Sequence, residues 1–348
     1  MRPLRIYDGV AVACFLILPP LLYTELGGLT ERYGTAAWLV LLVAAALVLC
    51  LFLIMSFLCR QHEGKHLIAI TTDVMGRPFA AIYGLILGVY FAYYTGVYAL
   101  ESAKVLKIYS FHLTPLYIIA GLIILTALVM NFLGGRAIAK SAGFFFIMLS
   151  LGIVLVILLG LNRYNPDHLS PLSIGGIEPI EGLYQASLFD GVILLALFAP
   201  VFKNIRAFRL TGVISVIATA LAACALCVCY VMMFSPSVGS IMTCGFIEMG
   251  KSSYFNHFFY RFESLLLFFI IFSAAIQASL GLWIAKESIV YAFNIKSQKI
   301  TAVICAIAAA AVILFRLPDT PVKRYGVFLI AGVPVFLFII SSIKRLFK

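Results

Sequence analysis

A helix rises 1.5 Å per residue, so about 20 consecutive apolar residues carry it across the hydrocarbon core of a bilayer. This sequence supplies such a length ten times. The predicted spans run from residues 8 to 28, 36 to 59, 79 to 104, 115 to 133, 139 to 161, 183 to 202, 208 to 234, 259 to 292, 300 to 316 and 325 to 344. Hydrophobic residues make up 64% of the 348 positions and charged residues 11%, against roughly 45–50% and about 25% in soluble domains. The chain therefore reads as an all-α integral membrane protein sitting in the lipid bilayer. Its start, MRPLRIYDGVAVACF, has the basic and then apolar order of a signal peptide. The apolar run continues towards Tyr23 without a clear small-residue cleavage site, so it is read as a retained first span.

Charge orients the spans. The 25 Lys and Arg against 14 acidic residues give a net charge of +11, and basic residues collect in the cytoplasmic loops of membrane proteins. With the N-terminus inside, 16 of the 25 fall on the inner side, which places both termini in the cytoplasm. The basic excess is thus accounted for without nucleic acid as a partner. The eight cysteines mostly lie in apolar runs, with no paired CxxC spacing and no histidine cluster, so they read as small buried hydrophobes and no metal or other cofactor is expected. No Ser/His/Asp, Cys/His or phosphate-loop arrangement occurs, and nothing points to an enzyme.

The longest connection, NRYNPDHLSPLSIGGIEPIEGL (162–183), divides the spans into two sets of five. A single transmembrane domain is expected, 1–348, with residues 1–161 as a first repeat, 162–182 as an outer loop and 183–348 as a second repeat. Many secondary transporters pair two inverted repeats whose first helices are broken near the membrane midplane. Here each half opens with an interrupted span: Pro19-Pro20 in the first, Asp190-Gly191 and then Pro200 in the sixth. From Gly191 to Val201 there is only about half a span, so the segment must recruit Tyr184 to Phe189, which moves Asp190 towards mid-membrane. A carboxylate there costs about 2.5–3.5 kcal/mol. Three readings stay open for it. Asp190 lines a polar cavity where the helix unwinds, or it caps a short helix beginning at Gly191 behind a re-entrant loop, or it sits at a shallow surface position.

Other polar groups interrupt the third and eighth spans. Tyr90, Tyr94 and Glu101 share roughly one face of IYGLILGVYFAYYTGVYALESAK. They wall a ligand pocket, with Glu101 at its outer entrance, or the tyrosines form an interfacial belt while Gly84 and Gly88 pack against a neighbouring helix. Ser273 and Gln277 share a face of span eight and either supply oxygens to a ligand or serve close packing. Lys140, at the inner end of span five, either replaces a bound cation or is a positive-inside charge.

Five features in order carry a family resemblance: an early proline in span one, TPLYIIAGL followed by FLGG in span four, the loop NPDHLSPLSIGGIEPIEGL, the run LFDGVILLALFAP, and RFESLLLF opening span eight. Together they resemble the spore germination B subunits, the endospore permease family within the amino acid, polyamine and organocation transporter superfamily. The resemblance implies an inner-membrane subunit of a spore nutrient-germinant receptor that works with A and C subunits and binds a small germinant, often an amino acid. The implied fold has ten helices in a five-plus-five inverted repeat, with helices one and six unwound at the ligand site. By position, Pro19 matches the family's span-one proline, so the backbone near Ala13 and Cys14 is expected to form the unwound portion. Asp190 and Gly191 stand where the family typically has a glycine followed by an acid, and span one lacks the usual glycine pair before its proline. The expected substrate-binding set is Ala13, Cys14, Pro19, Tyr90, Tyr94, Phe189, Asp190, Gly191, Ser273 and Gln277. Two other functions stay open: an amino acid transporter with the same pocket, coupled to a proton or cation, and an assembly subunit that binds no ligand, which fits the altered span-one motif.

Overall fold

The computed structural model describes residues 4–62, 65–170, 185–252 and 262–346. Among these residues the chain is mostly helical, the helices joined by short turns, with one isolated parallel bridge between Leu4 and Phe202. The described residues of the predicted spans are helical but for one or two at some of their ends. The elements are α1 (Ile6–Pro20), a π-helix (Leu21–Glu25), α2 (Leu26–Tyr33), α3 (Ala37–Gln61), α4 (Leu67–Met75), α5 (Arg77–Tyr109), α6 (Leu116–Leu133) and α7 (Gly135–Leu159). A 3-10 helix (Ala186–Val201) opens the second half, followed by α8 (Ile205–Met233), α9 (Gly245–Ser252), α10 (Phe262–Phe293), α11 (Gln298–Leu314) and α12 (Thr320–Leu346). Six helical stretches among the described residues are long and apolar enough to cross a membrane by themselves, the first of them running from α1 through α3. Three more apolar helices are shorter: Ala186–Val201, Gln298–Leu314 and Phe328–Ser341.

A helix that is apolar all round belongs in an interior rather than at a lipid boundary. Two elements meet that description. In α1 every residue from Gly9 to Pro20 is buried, and in the 3-10 helix every residue from Val192 to Ala199 is buried. They pack against one another, and α7, α8 and α10 pack around α1. The lipid-facing elements show the converse pattern: Leu122, Leu125 and Val129 of α6 are more than half exposed, as expected where hydrocarbon is the solvent.

Small residues set how closely the helices approach. Gly84 and Gly88 seat α5 against α10: a Cβ on the first would meet the side chain of Ala292, and on the second that of Ile289. The packing reading of this GxxxG pair therefore holds. One polar clamp reinforces the same side, where the Asn131 amide of α6 donates to the Ser279 carbonyl of α10 at 3.0 Å.

Candidate functional site

Proline has no N–H, so Pro19 and Pro20 remove the helical partners of the carbonyls four residues earlier, those of Phe15 and Leu16. A buried carbonyl without a partner is costly, and lipid supplies none. The Leu16 carbonyl is served from another helix: the Tyr94 hydroxyl of α5 donates to it at 3.0 Å. That hydroxyl in turn accepts from the Gln277 Nε2 of α10 at 3.0 Å. The 3-10 helix reaches the same residue, since a Cβ on Gly191 would lie 2.5 Å from the Leu16 Cβ. Spans one, three and six therefore meet at Leu16, and span eight joins them through the hydroxyl of Tyr94.

Beyond the prolines the chain winds more loosely, as a π-helix over Leu21–Glu25. Such i→i+5 turns inside longer helices recur at functional sites. Here the turn aims polar groups into the bundle. The hydroxyls of Tyr23 and Ser273 stand 3.2 Å apart, and the Thr24 hydroxyl donates to Glu101 Oε2 at 3.5 Å. Two carboxylic acids, Glu25 and Glu101, are only 7% and 6% exposed, and both lie within electrostatic reach of the Tyr98 hydroxyl. Tyr98 packs on Tyr94, ring centroids 4.5 Å apart, which joins this acidic group to the hydrogen-bonded crossing. Tyr23, Glu25 and Tyr98 are absent from the predicted binding set. The signal was present in LLYTEL, a tyrosine and an acid inside the first predicted span just after the proline pair.

The structure gathers most of the predicted residues but alters some local geometry. Tyr94, Gln277 and Gly191 meet at the crossing, Ser273 stands against Tyr23 beyond the prolines, and Tyr90 lies beside the crossing with its ring 6.5 Å from that of Tyr94. Phe189 is 1% exposed within the 3-10 helix. Ala13 and Cys14 are buried in regular α-helix, so the expected unwinding there is corrected. The irregularity follows Pro19 and Pro20 instead, because the lost carbonyl bond at Leu16 is replaced by a side chain and the turn before the prolines keeps its winding. A helix starting at Gly191 with Asp190 as its cap is likewise corrected: a single 3-10 helix runs through both positions from Ala186. The Asp190 side chain, and residues 171–184 of the long loop, lie outside the described residues. Lys140 is exposed.

Contacts at the two ends of the bundle hold this crossing. At the end carrying the N-terminus, the Leu4 amide donates to the Val201 carbonyl at 2.9 Å, and Phe198 stacks on Trp283 with centroids 4.1 Å apart. Beneath them lies a cavity of about 180 Å³ bordered by His66, Arg136, Glu287 and Tyr291. His66 stacks on Tyr291 at 3.9 Å, and its Nδ1 accepts from the Ile68 amide. Burial pushes the His66 imidazole down to about 4, so the ring is neutral at neutral pH. At the opposite end, the segment leading into α9 closes over the π-helix. The Cys244 thiol donates to the Leu22 carbonyl at 3.2 Å, and the Tyr109 hydroxyl donates to Glu248 at 2.6 Å.

The chain is similar to known proteins in sequence and in fold. The family described as spore germination proteins, the spore permeases, matches residues 21–321. Spore germination protein KB of Bacillus subtilis (strain 168) is 22% identical over 178 residues, covering 50% of this chain and 47% of that protein. The chain thus spans about half the length of the curated relative it matches. Among solved structures, a Na+-coupled sialic acid symporter in a substrate-bound outward-open state superposes with a TM-score of 0.71 at 11% identity, covering 96% of this chain and 78% of that one. A likeness of that size at so low an identity shows the fold alone, one this chain shares with that symporter.

Proposed function

The chain belongs to the spore germination protein family, and from that premise we propose that it is the nutrient-sensing membrane subunit of a germinant receptor. Its ligand is a small nutrient, an amino acid, bound where spans one, three, six and eight cross. Its partners are the receptor's A and C subunits, in the spore inner membrane, with both termini cytoplasmic and residues 1–161 and 183–348 acting as two opposed five-span halves.

What most supports the reading is the chain of bonds from Gln277 through Tyr94 to the Leu16 carbonyl. Every polar group along it is bonded to a group on a different span. A zwitterion that takes up any of these donors and acceptors must first open a bond between helices. Binding then favours a conformation in which α1, α5 and α10 have shifted, and this difference in affinity between two conformations is what a ligand needs in order to transmit a signal.

The test is binding of a labelled amino acid panel to the protein co-purified with A and C subunits, with Asp190→Asn and Gln277→Leu as variants. Saturable binding that both substitutions weaken at least about tenfold, with the complex intact, supports the site. No binding of any amino acid to the complete complex refutes it. A second reading, a transporter moving an amino acid with a proton or cation, draws on the buried Glu25 and Glu101, because acids inside a membrane bundle commonly mark ion or proton paths. Concentrative uptake by reconstituted protein selects it.

A further inference from the structure

A second cavity, of about 530 Å³, opens between α3, α8 and α12 at the end of the bundle that carries the N-terminus. Its lining combines two chemistries. Arg60, Arg206 and Arg209 border it, and so do the apolar Leu53 and Phe57 of α3 and Phe338 of α12. The helices are brought together by small and polar contacts. At Gly212, one turn beyond Arg209, an added Cβ would collide with the Phe52 ring, so α8 lies hard against α3. The Ser341 hydroxyl donates to Gln61 Oε1 at 2.9 Å and ties α12 to the end of α3.

Three guanidinium groups around one opening repel each other and call for counter-charge. None of the three is ion-paired or hydrogen-bonded to a carboxylate among the described residues. The local backbone adds to the excess: the first turn of α8 contains no acidic residue, and the Asn204 side chain does not cap it. Arg206 and Arg209 thus sit at the positive end of a helix dipole, where cations are disfavoured and an anion is welcome. The apolar lining belongs to the lipid-facing side of the bundle. Phe57 is 47% exposed and packs edge-on against Phe338 with centroids 5.7 Å apart.

We propose that this cavity binds an anionic phospholipid. The phosphate lies among Arg60, Arg206 and Arg209, and an acyl chain lies along Leu53, Phe57 and Phe338. A free phosphate would satisfy the arginines and leave the apolar lining unused, whereas a phospholipid engages both in the orientation that the membrane already imposes. Basic recesses between transmembrane helices at one membrane face are suited to such headgroups.

The experiment places the full-length protein in nanodiscs of phosphatidylcholine doped with phosphatidylglycerol and measures lipid retention by native mass spectrometry. Wild-type protein is expected to retain phosphatidylglycerol in preference to phosphatidylcholine. The double substitution Arg206→Gln/Arg209→Gln is expected to lower that preference by roughly thirtyfold, from about fivefold for each arginine. Arg206→Lys/Arg209→Lys keeps the charge and is expected to preserve most of it. A Lys296→Gln/Lys299→Gln control, two exposed residues outside the cavity, leaves it unchanged. Equal retention by wild type and the glutamine variant, when both melt at the same temperature in phosphatidylcholine alone, overturns the proposal. So does displacement of the bound lipid by millimolar inorganic phosphate, which identifies a soluble-anion site instead.

Discussion

Tyr94→Phe isolates the bond that replaces the missing proline N–H. The substitution keeps the ring and removes the hydroxyl that donates to the Leu16 carbonyl and accepts from Gln277. Two buried polar groups then lose a partner. Orphaned groups of this kind cost about 1–3 kcal/mol in proteins generally, and interhelical hydrogen bonds within membranes average about 0.6 and reach about 1.7 kcal/mol. A loss of about 1–3 kcal/mol is therefore expected in equilibrium unfolding in mixed detergent micelles. The causal step is tested by repeating the substitution in a Pro20→Ala background. Alanine at 20 restores an N–H in reach of the Leu16 carbonyl, so Tyr94→Phe then orphans only Gln277 and its cost drops by about 1 kcal/mol, a coupling well outside the roughly 0.3–0.5 kcal/mol scatter of independent sites. Equal costs in the two backgrounds would refute the reasoning. Tyr94 would then be a packing residue whose hydroxyl happens to lie near α1.

Gly191→Ala places a methyl group 2.5 Å from the Leu16 Cβ. It should separate α1 from the 3-10 helix at a cost of about 1–3 kcal/mol, and Gly191→Ser should behave no better; wild-type melting and nutrient response in both variants would count against the crossing. Asp190→Asn is expected to leave melting unchanged while weakening the nutrient response, read by dye release or by binding, and lost expression with an unchanged response per molecule would argue for a structural role. His66 predicts a pH dependence. Its folded value is about 4 against roughly 6.5 unfolded, so the unfolded chain takes up a proton first as pH falls. Stability is present in full above about 6.5, declines between 6.5 and 4, and is lost by up to about 3 kcal/mol below that. His66→Phe retains the stacking on Tyr291, and its melting profile should be flatter across that window than wild type; parallel profiles would remove His66 as the cause.

The positions of the helices were legible in the sequence because the bilayer leaves the backbone few choices. A segment of the right length and polarity must satisfy its own hydrogen bonds, and helix is the form that does so within one segment. The crossing was half legible for the same reason. Pro19-Pro20 announces that two carbonyls lose their partners, and Asp190-Gly191 announces a second irregular span, but neither motif says where replacement bonds come from. The partner of Leu16 is Tyr94, 78 residues further along the chain, and whether the helix unwinds before its prolines or continues depends on that distant hydroxyl being in reach. Tyr94 was expected at the site for its place on a face of span three; its role as a surrogate for a backbone N–H was not readable from that face. The direction of Glu25 is not legible in the sequence for a related reason. In a regular helix its direction would follow from 3.6-residue spacing, whereas the π-turn over Leu21–Glu25 shifts the register of everything after the prolines and brings the acid into the neighbourhood of Tyr98 and Glu101. The proline pair thus stands between two features that looked separate, the side-chain bond at Leu16 and the π-turn that carries Glu25 into the bundle. The same place suits a ligand, because the bonds that close the break are made by side chains, and side chains can exchange partners without unwinding a helix.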